Sequence, residues 1–324
     1  MLKYSLRRTV SSLLIVWGVL TVTFVIIHLA PGDPAAIYIR PEIPPETTQH
    51  IRQQLGLDLP LWKQYFFWIK GFAAGDMGTS FSHNRPVSQI LAEAIPNTLQ
   101  LTLIVLILQL ILGAMLGVFM ALKHSTRTET VVSAILMFFY SMPSFWLALM
   151  AIMIFSVKLG WLPSSQMSSF HTTGSFMAQA ADRIRHLILP ASVLTIPFAI
   201  YTARYFKDSL LQVLATDYIR AATAFGLEPR LVLFKYALKN ALLPIVTLSG
   251  LYLPFLVGGA VVIEYIFAWP GVGRITIDAI FAHDFPVILA STCLAALAVV
   301  LGNHISDLLY HAVDPRIKSR GKMP

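Results

Sequence analysis

Apolar residues gather in six long runs along this chain, at about 10–30, 99–122, 131–157, 187–206, 241–267 and 285–313. A hydrocarbon core about 30 Å thick needs roughly 20 apolar residues in helical form to cross it. Each run therefore reads as one transmembrane helix, and the expected fold is an all-α integral membrane protein with six spans. Prolines interrupt several runs: Pro143 in "YSMPSFW", Pro197 in "VLTIPFA" and Pro254 in "LYLPFLV". Each removes a backbone donor and kinks its helix, a defect held at membrane depth only where protein or a water-filled cavity re-satisfies the backbone. Ser141, Pro143 and Pro197 are thus candidates to line a translocation path, with ordinary helix packing as the plain alternative for each.

Two polar stretches have patterns of their own. Between the first two runs, "PETTQHIRQQLGL" reads as a short helix that Thr47 or Thr48 can cap. "PLWKQYFFWIKGFAAGD" reads as another, with Pro60 placed to start it and Gly75 to end it. Trp62, Tyr65, Phe66, Ile69 and Phe72 recur at three- and four-residue spacing and share one face. That face suits a membrane interface and equally suits packing on the spans, and periodicity does not choose between the two.

The second polar stretch follows the fourth run. "RYFKDSLLQVLATDYIRAATAFG" is too charged for hydrocarbon, Gly226 suits a left-handed helix stop, and Pro229 suits the first turn of a new helix. The expected element is a helix, a tight turn and a second helix. Tyr218, Ala222 and Phe225 share a face of the first arm, and Leu231, Phe234 and Leu238 share one of the second. The small residues Ala221, Ala222 and Ala224 near the turn leave room for another backbone to approach. An apolar stripe with a basic rim has to be covered, by the hairpin's own membrane-facing ends or by a partner.

Composition narrows the function classes. Hydrophobic residues make up 56% of the 324 and charged residues only 12%, against about 25% charged in a soluble domain, and mean hydropathy is +0.69. A water-soluble chain is excluded. The first run follows Lys3, Arg7 and Arg8 as a signal peptide would, but it is longer than an h-region and ends at Pro31, so it reads as a retained anchor.

Basic residues at the amino terminus, at Lys123 and Arg127, across 207–240, and in the tail "DPRIKSRGKMP" fall on one side of a six-span topology. That side is cytoplasmic by the positive-inside rule, with both termini inside. The organisation is an anchor with an outer segment at 1–96, a five-span core at 97–313 carrying a cytoplasmic loop at about 207–240, and a basic tail at 314–324. The formal charge of +8 is spread over these flanks without a dense aromatic-interleaved stripe, which argues against a nucleic-acid partner. The single cysteine, Cys293, allows no intrachain disulfide.

Reactive chemistry is sparse. No G-x-x-x-x-G-K-[ST] loop, no G-x-S-x-G and no H-E-x-x-H occurs, and the nine histidines lack metal-site spacing, so neither a metal ligand nor a catalytic residue is assigned. Glu264, near the end of the fifth run, is a candidate path residue because an intramembrane carboxylate is costly. An interfacial pair with Arg274 is the alternative and is preferred, and His28 and Asp33 read as interface residues at the mouth of the first span. An ion-coupled secondary transporter is the main rival function, but the six runs hold almost none of the ionisable groups that such coupling uses.

The polar hairpin carries a resemblance. "DYIRAATAFGL" followed by "LKNALLPIVT" resembles the cytoplasmic coupling loop of ABC importer permeases of the dipeptide, oligopeptide and nickel branch. So do "PGDP", "LGLDLPLWKQY", "GDMGTSF", "SMPSFW", "IEYIFAWPGVGR", "HDFPVI" and "DPRI", in the same order along nearly the whole chain. Phe225 departs from the pattern, standing where many relatives have lysine.

The resemblance implies a type I importer fold and a bacterial inner-membrane location. The implied partners are a second homologous permease, two cytoplasmic ATP-binding subunits and a periplasmic or lipid-anchored solute-binding protein. ATP and Mg would sit on the ATPase partners and no cofactor on this chain. It further implies that Asp217, Tyr218, Arg220, Ala221, Ala222, Gly226 and Arg230 form the ATPase-docking element. The motifs lean slightly toward nickel or a metal chelate over di- and oligopeptides as cargo.

Overall fold

The computed structural model describes residues 2–29, 58–169, 175–242, 245, 252 and 260–313. Among these, four helices are long and apolar enough to cross a membrane: Val10–Leu29, Val87–Leu122, Phe176–Leu214 and Phe285–Ser306. Arg127–Tyr140 and Ser144–Lys158, bent by 96° at their junction, supply a fifth span if counted as one. Most of the expected fifth run, with Pro254, lies outside the described residues. In chain order the helices are α1 (Leu2–Leu29), α2 (Leu61–Ala73), α3 (Val87–Leu122), α4 (Arg127–Tyr140) and α5 (Ser144–Ala151). They continue with α6 (Phe176–Leu214), α7 (Asp217–Ala224), α8 (Pro229–Leu231), α9 (Leu238–Ala241), α10 (Val261–Ile266), α11 (Val272–Phe281) and α12 (Phe285–Val313).

Proline chemistry explains the sharp bend and fails to break α6. Pro143 is the cap residue of α5, and a residue before proline is pushed out of the helical region, so α4 stops at Tyr140 and the chain turns. In α6 the helix runs through both Pro190 and Pro197 without interruption. Each proline still removes one ladder donor, but thirteen buried residues along α6 hold it by packing. The start of α4 is set locally: the Thr126 side chain accepts from the Glu129 amide at 3.3 Å, while Glu129 accepts from the Ser125 amide at 3.3 Å. This reciprocal arrangement resembles a capping box.

The chain packs as two compact units, Met1–Thr98 with Pro270–Val300, and Leu99–Trp269 with Leu301–Pro324. In the first unit Val87, Ile90, Leu91 and Ala94 form a core with Val272, Ala279, Val287 and Ala290. Asp284, fully buried at the start of α12, accepts from the Ser80 hydroxyl at 2.5 Å, the Ser82 hydroxyl at 2.6 Å and the Ser82 amide at 3.0 Å. The Val272 amide donates to the Thr98 hydroxyl at 2.8 Å. These charge-assisted and buried bonds fasten segments about two hundred residues apart in sequence.

In the second unit one core joins Leu101 and Val105 of α3 with Leu147 and Ala148 of α5, Leu189, Ala191, Val193 and Leu194 of α6, and Ile263, Phe267 and Trp269. Further along, α3 and α6 approach backbone to backbone. A Cβ on Gly113 would stand 2.6 Å from Thr202 Cβ, and one on Gly117 would stand 2.8 Å from the Ala203 carbonyl oxygen. Gly113 and Gly117 are a G-x-x-x-G pair, the spacing that lets membrane helices meet closely. Beside them the Thr202 hydroxyl donates to Gln109 Oε1 at 2.8 Å, with both residues buried.

Candidate coupling element and transport path

The hairpin at 217–241 forms where its punctuation predicts, with one break more than expected. Helix α6 ends at Leu214 and α7 starts afresh at Asp217, with Thr216 extended between them. Its far end closes as a Schellman turn: the Gly226 amide donates to the Thr223 carbonyl at 3.0 Å and the Leu227 amide to the Ala222 carbonyl at 3.3 Å. Gly226 has φ +76°, the left-handed region that L-residues disfavour. A Cβ there would meet nothing within 4 Å, so within the chain the demand on Gly226 is conformational and steric obstruction plays no part.

The return arm begins with Pro229 at the first turn of α8, widens into a π-helical turn at Val232–Ala237, and regains α geometry in α9. Sequence reasoning had no signal for the π-turn, which contains two buried residues, Val232 and Ala237. Those two residues pack with Ile219, Ala222, Ala241 and Ile245 against Phe206 and Leu210 of α6. The hairpin is thereby welded to the lower end of α6 by apolar contact.

This placement sorts the predicted docking residues. Asp217, Tyr218, Arg220, Ala221, Gly226 and Arg230 are exposed. Asp217 and Arg220 lie 3.5 Å apart in an i, i+3 pair so open to solvent that it adds little stability. Ala222 is buried, so its small size serves the packing on α6. Tyr218 braces the hairpin: Asn240 Nδ2 donates to Tyr218 Oη at 2.8 Å and to the Tyr236 carbonyl at 3.0 Å, tying the first arm to the second. The open apolar surface belongs instead to Phe225, 86% exposed, and Phe234, 67% exposed, with Leu231 beside them in sequence at 40%. Asn240 was not singled out from the sequence, and Phe225 was placed on one face with Ala222, whereas Ala222 is buried and Phe225 open.

The predicted path residues do not share one environment. Ser141 caps the end of α4 with its hydroxyl donating to the Met137 carbonyl at 2.8 Å, and Pro143 stands exposed at the 96° bend. Pro197 is half-buried in α6. Glu264 is fully buried in α10, and its carbonyl accepts the Trp269 amide at 2.8 Å. Arg274 lies 3.6 Å from Asp278, one turn along its own helix. His28 bonds the Phe24 carbonyl through Nδ1 at 2.8 Å, while Asp33 lies outside the described residues. A separate cavity of about 680 Å³ opens between α3, α4 and α6, lined by apolar side chains with Ser192 and Thr195.

Comparison with known proteins decides what this arrangement belongs to. Residues 113–319 match the family model "Binding-protein-dependent transport system inner membrane component", and residues 1–102 match the amino-terminal model of the same membrane components. The chain belongs to this family. It is 40% identical to the oligopeptide transport system permease protein AppB of Bacillus subtilis, over 98% of this chain and 100% of that protein. It is 39% identical to the dipeptide transport system permease protein DppB of Alkalihalophilus pseudofirmus, at the same coverages. It is 36% identical to the glutathione transport system permease protein GsiC of Escherichia coli K12, over 98% and 99%. The inward-facing MetNI methionine ABC transporter shares the fold, with TM-score 0.57 and 22% identity over 70% of this chain and 97% of that one.

The protein is a multi-pass membrane permease subunit of an ABC importer. That identity displaces the ion-coupled carrier. In this permease the hairpin, α6 and α3 form a continuous packed series: Ile219 and Ala222 on Phe206 and Leu210, then Thr202, Ala203 and Phe206 on Gly113 and Gly117. A displacement of the hairpin would reach two spans through contacts with no slack.

Proposed function

We propose that this permease carries peptides inward across the bacterial inner membrane, with both termini cytoplasmic and with ATP hydrolysed by partner subunits. Peptide cargo is favoured over a nickel chelate because the relatives named above are oligopeptide, dipeptide and glutathione permeases. The hairpin at 217–241 is the element by which an ATP-binding subunit moves the spans, and a solute-binding protein delivers the cargo to the opposite side. The observation that carries the reading is the pairing of an exposed aromatic tip, Phe225 and Phe234, with a base locked onto α6 through Ile219 and Ala222. An exposed tip can be gripped, and a locked base passes the motion on.

The test uses the complete transporter in proteoliposomes, with its solute-binding protein outside and ATP supplied to the ATPase side. Uptake of a radiolabelled tripeptide that requires ATP, and that disappears in Phe234→Asp while the variant still inserts, is the expected result. ATP-dependent uptake unaffected by Phe225→Asp and Phe234→Asp together would remove the hairpin from the mechanism. Calorimetry of the cognate binding protein against the tripeptide and a nickel chelate decides cargo, with heat expected from the peptide.

A further inference from the structure

Helix α2 has two apolar faces, and among the described residues one of them packs on other helices while the other is exposed. On one side Tyr65 and Trp68 pack with Phe24, Ile27 and Leu289, and Trp68 and Phe72 pack with Val16, Leu20 and Cys293. Tyr65 also hydrogen-bonds Thr21 through its hydroxyl at 2.7 Å. As α2 advances from Tyr65 to Phe72, its contacts on α1 retreat from Ile27 toward Val16. The two helices therefore run side by side and antiparallel, along a stretch of α1 that is itself apolar enough to cross a membrane.

The other side of α2 presents Trp62 at 68%, Phe66 at 61% and Phe67 at 59% exposure. Three bulky aromatics on one short helix form a patch that water penalises. Their flank carries Lys63, whose Nζ lies 5.4 Å from the Trp62 ring centre, and Lys70, and the helix holds no acidic residue. Aromatic rings with lysines and without acids suit the headgroup zone of a bilayer. The exposed flank of α1 alongside, with Val22, Val25 and Ile26, is of the same apolar kind. Phe67 also lines a cavity of about 260 Å³, with Phe24, His28, Trp68, Phe285 and Leu289 among others.

We propose that the Trp62–Phe66–Phe67 face of α2 is a phospholipid-binding surface, with acyl chain against the rings and in the cavity behind Phe67, and phosphate near Lys63 and Lys70. The face thus extends the lipid contact of α1 and is not a dock for a delivery protein. The aromatic periodicity visible in the sequence gave both readings of this helix, interfacial and packed. The two faces divide them: Tyr65, Trp68 and Phe72 take the packing, and Trp62, Phe66 and Phe67 take the lipid.

The test places p-benzoylphenylalanine at position 66 or 67 in the assembled transporter, reconstituted in vesicles of phosphatidylglycerol and phosphatidylethanolamine, followed by ultraviolet illumination and peptide mass analysis. Replacement at Ile26 serves as the lipid-facing control and replacement at Tyr65 as the protein-facing one. The expected result is a phospholipid adduct at 66 and 67 in yields within about twofold of that at 26, and a cross-link within the chain at 65. An adduct to another polypeptide at 66, or an unmodified peptide there while position 26 is labelled, overturns the proposal. Met77→Trp, which narrows the same cavity from a loop, should lower the adduct at 67 at least threefold and leave 66 unchanged. An unchanged yield at 67 removes the acyl chain from the cavity.

Discussion

Two regions of the second unit depend on glycine for opposite reasons. At the crossing of α3 and α6, Gly113 and Gly117 sit in ordinary helix and are required because any side chain would run into Thr202, Ala203 or Phe206. At the tip of the hairpin a Cβ on Gly226 would meet nothing within 4 Å, and the glycine is required because the backbone is left-handed. The first glycines set the distance between two spans and the third sets the direction of a turn. A force path needs both, since close contact transmits displacement and a fixed turn determines where the displacement begins.

The largest expected effect comes from filling the crossing. Gly113→Val adds three carbons where one already collides with Thr202 Cβ at 2.6 Å and the Ala199 carbonyl at 3.0 Å. Overpacking of this kind costs about 3 kcal/mol or more when backbone cannot yield. The permease should lose its folded peak in fluorescence-detected size exclusion, or melt well below the parent, before transport can be assayed. A normal melting profile for both Gly113→Val and Gly117→Val would show that α3 and α6 separate at little cost.

Next in size is the loss of grip at the tip. Replacing an exposed aromatic that anchors a partner by a carboxylate typically costs about 2 kcal/mol or more, roughly thirtyfold in affinity. Phe234→Asp should therefore weaken retention of the ATP-binding subunit during co-purification by that order while leaving the melting temperature of the isolated permease where it was. The crossing variants would do the reverse, losing stability first, and this contrast separates a contact surface from a packing surface. Equal retention of the ATPase by parent and Phe234→Asp would place the grip elsewhere on the hairpin.

Gly226 follows, and the sign of the series matters more than its size. Gly226→Ala forces an L-residue into left-handed backbone at roughly 1–2 kcal/mol, whereas asparagine tolerates that region better. ATP-driven uptake should fall in the order glycine, asparagine, alanine, valine if conformation is the constraint. Alanine outperforming asparagine would mean that the constraint is steric and comes from the docked partner, since the chain itself leaves the space empty.

These contrasts also mark what could be read from the sequence. The stop at Gly226, the restart at Pro229 and the bend at Pro143 were legible because glycine and proline act through local backbone geometry. The family was legible because its motifs recur in order along the chain. The inward turn of Ala222 was not, since an alanine next to a turn looks equally fit for docking and for core. Nor was the role of Gly113 and Gly117, which depends on Thr202 and Ala203 arriving from a helix about ninety residues away. The aromatic stripe of α2 was visible, but its division between a packed and an open face needed α1 and α12 in place.

The smallest expected effect probes the brace between the hairpin arms. Tyr218→Phe keeps the ring and removes the oxygen that accepts from Asn240 Nδ2 at 2.8 Å. It also removes the weaker bond from Tyr218 Oη to the Tyr236 carbonyl at 3.5 Å, so the arms stay closed by the packing of Ile219 and Ala222 on Val232, Ala237 and Ala241, while the bond from Asn240 to the Tyr236 carbonyl at 3.0 Å lies within the second arm. Because the hairpin surface is open to solvent and water can replace the lost partner, the cost should be about 0.5–1.5 kcal/mol. Amide hydrogen exchange should quicken a few-fold in α7 and α9, where those bonds act, and stay unchanged around Gly113. If Tyr218 instead contacts an ATPase side chain through its hydroxyl, exchange in the isolated permease will not change on Tyr218→Phe while ATPase retention falls. The two roles thus separate in one pair of measurements, and only the first is written in the contacts of this chain.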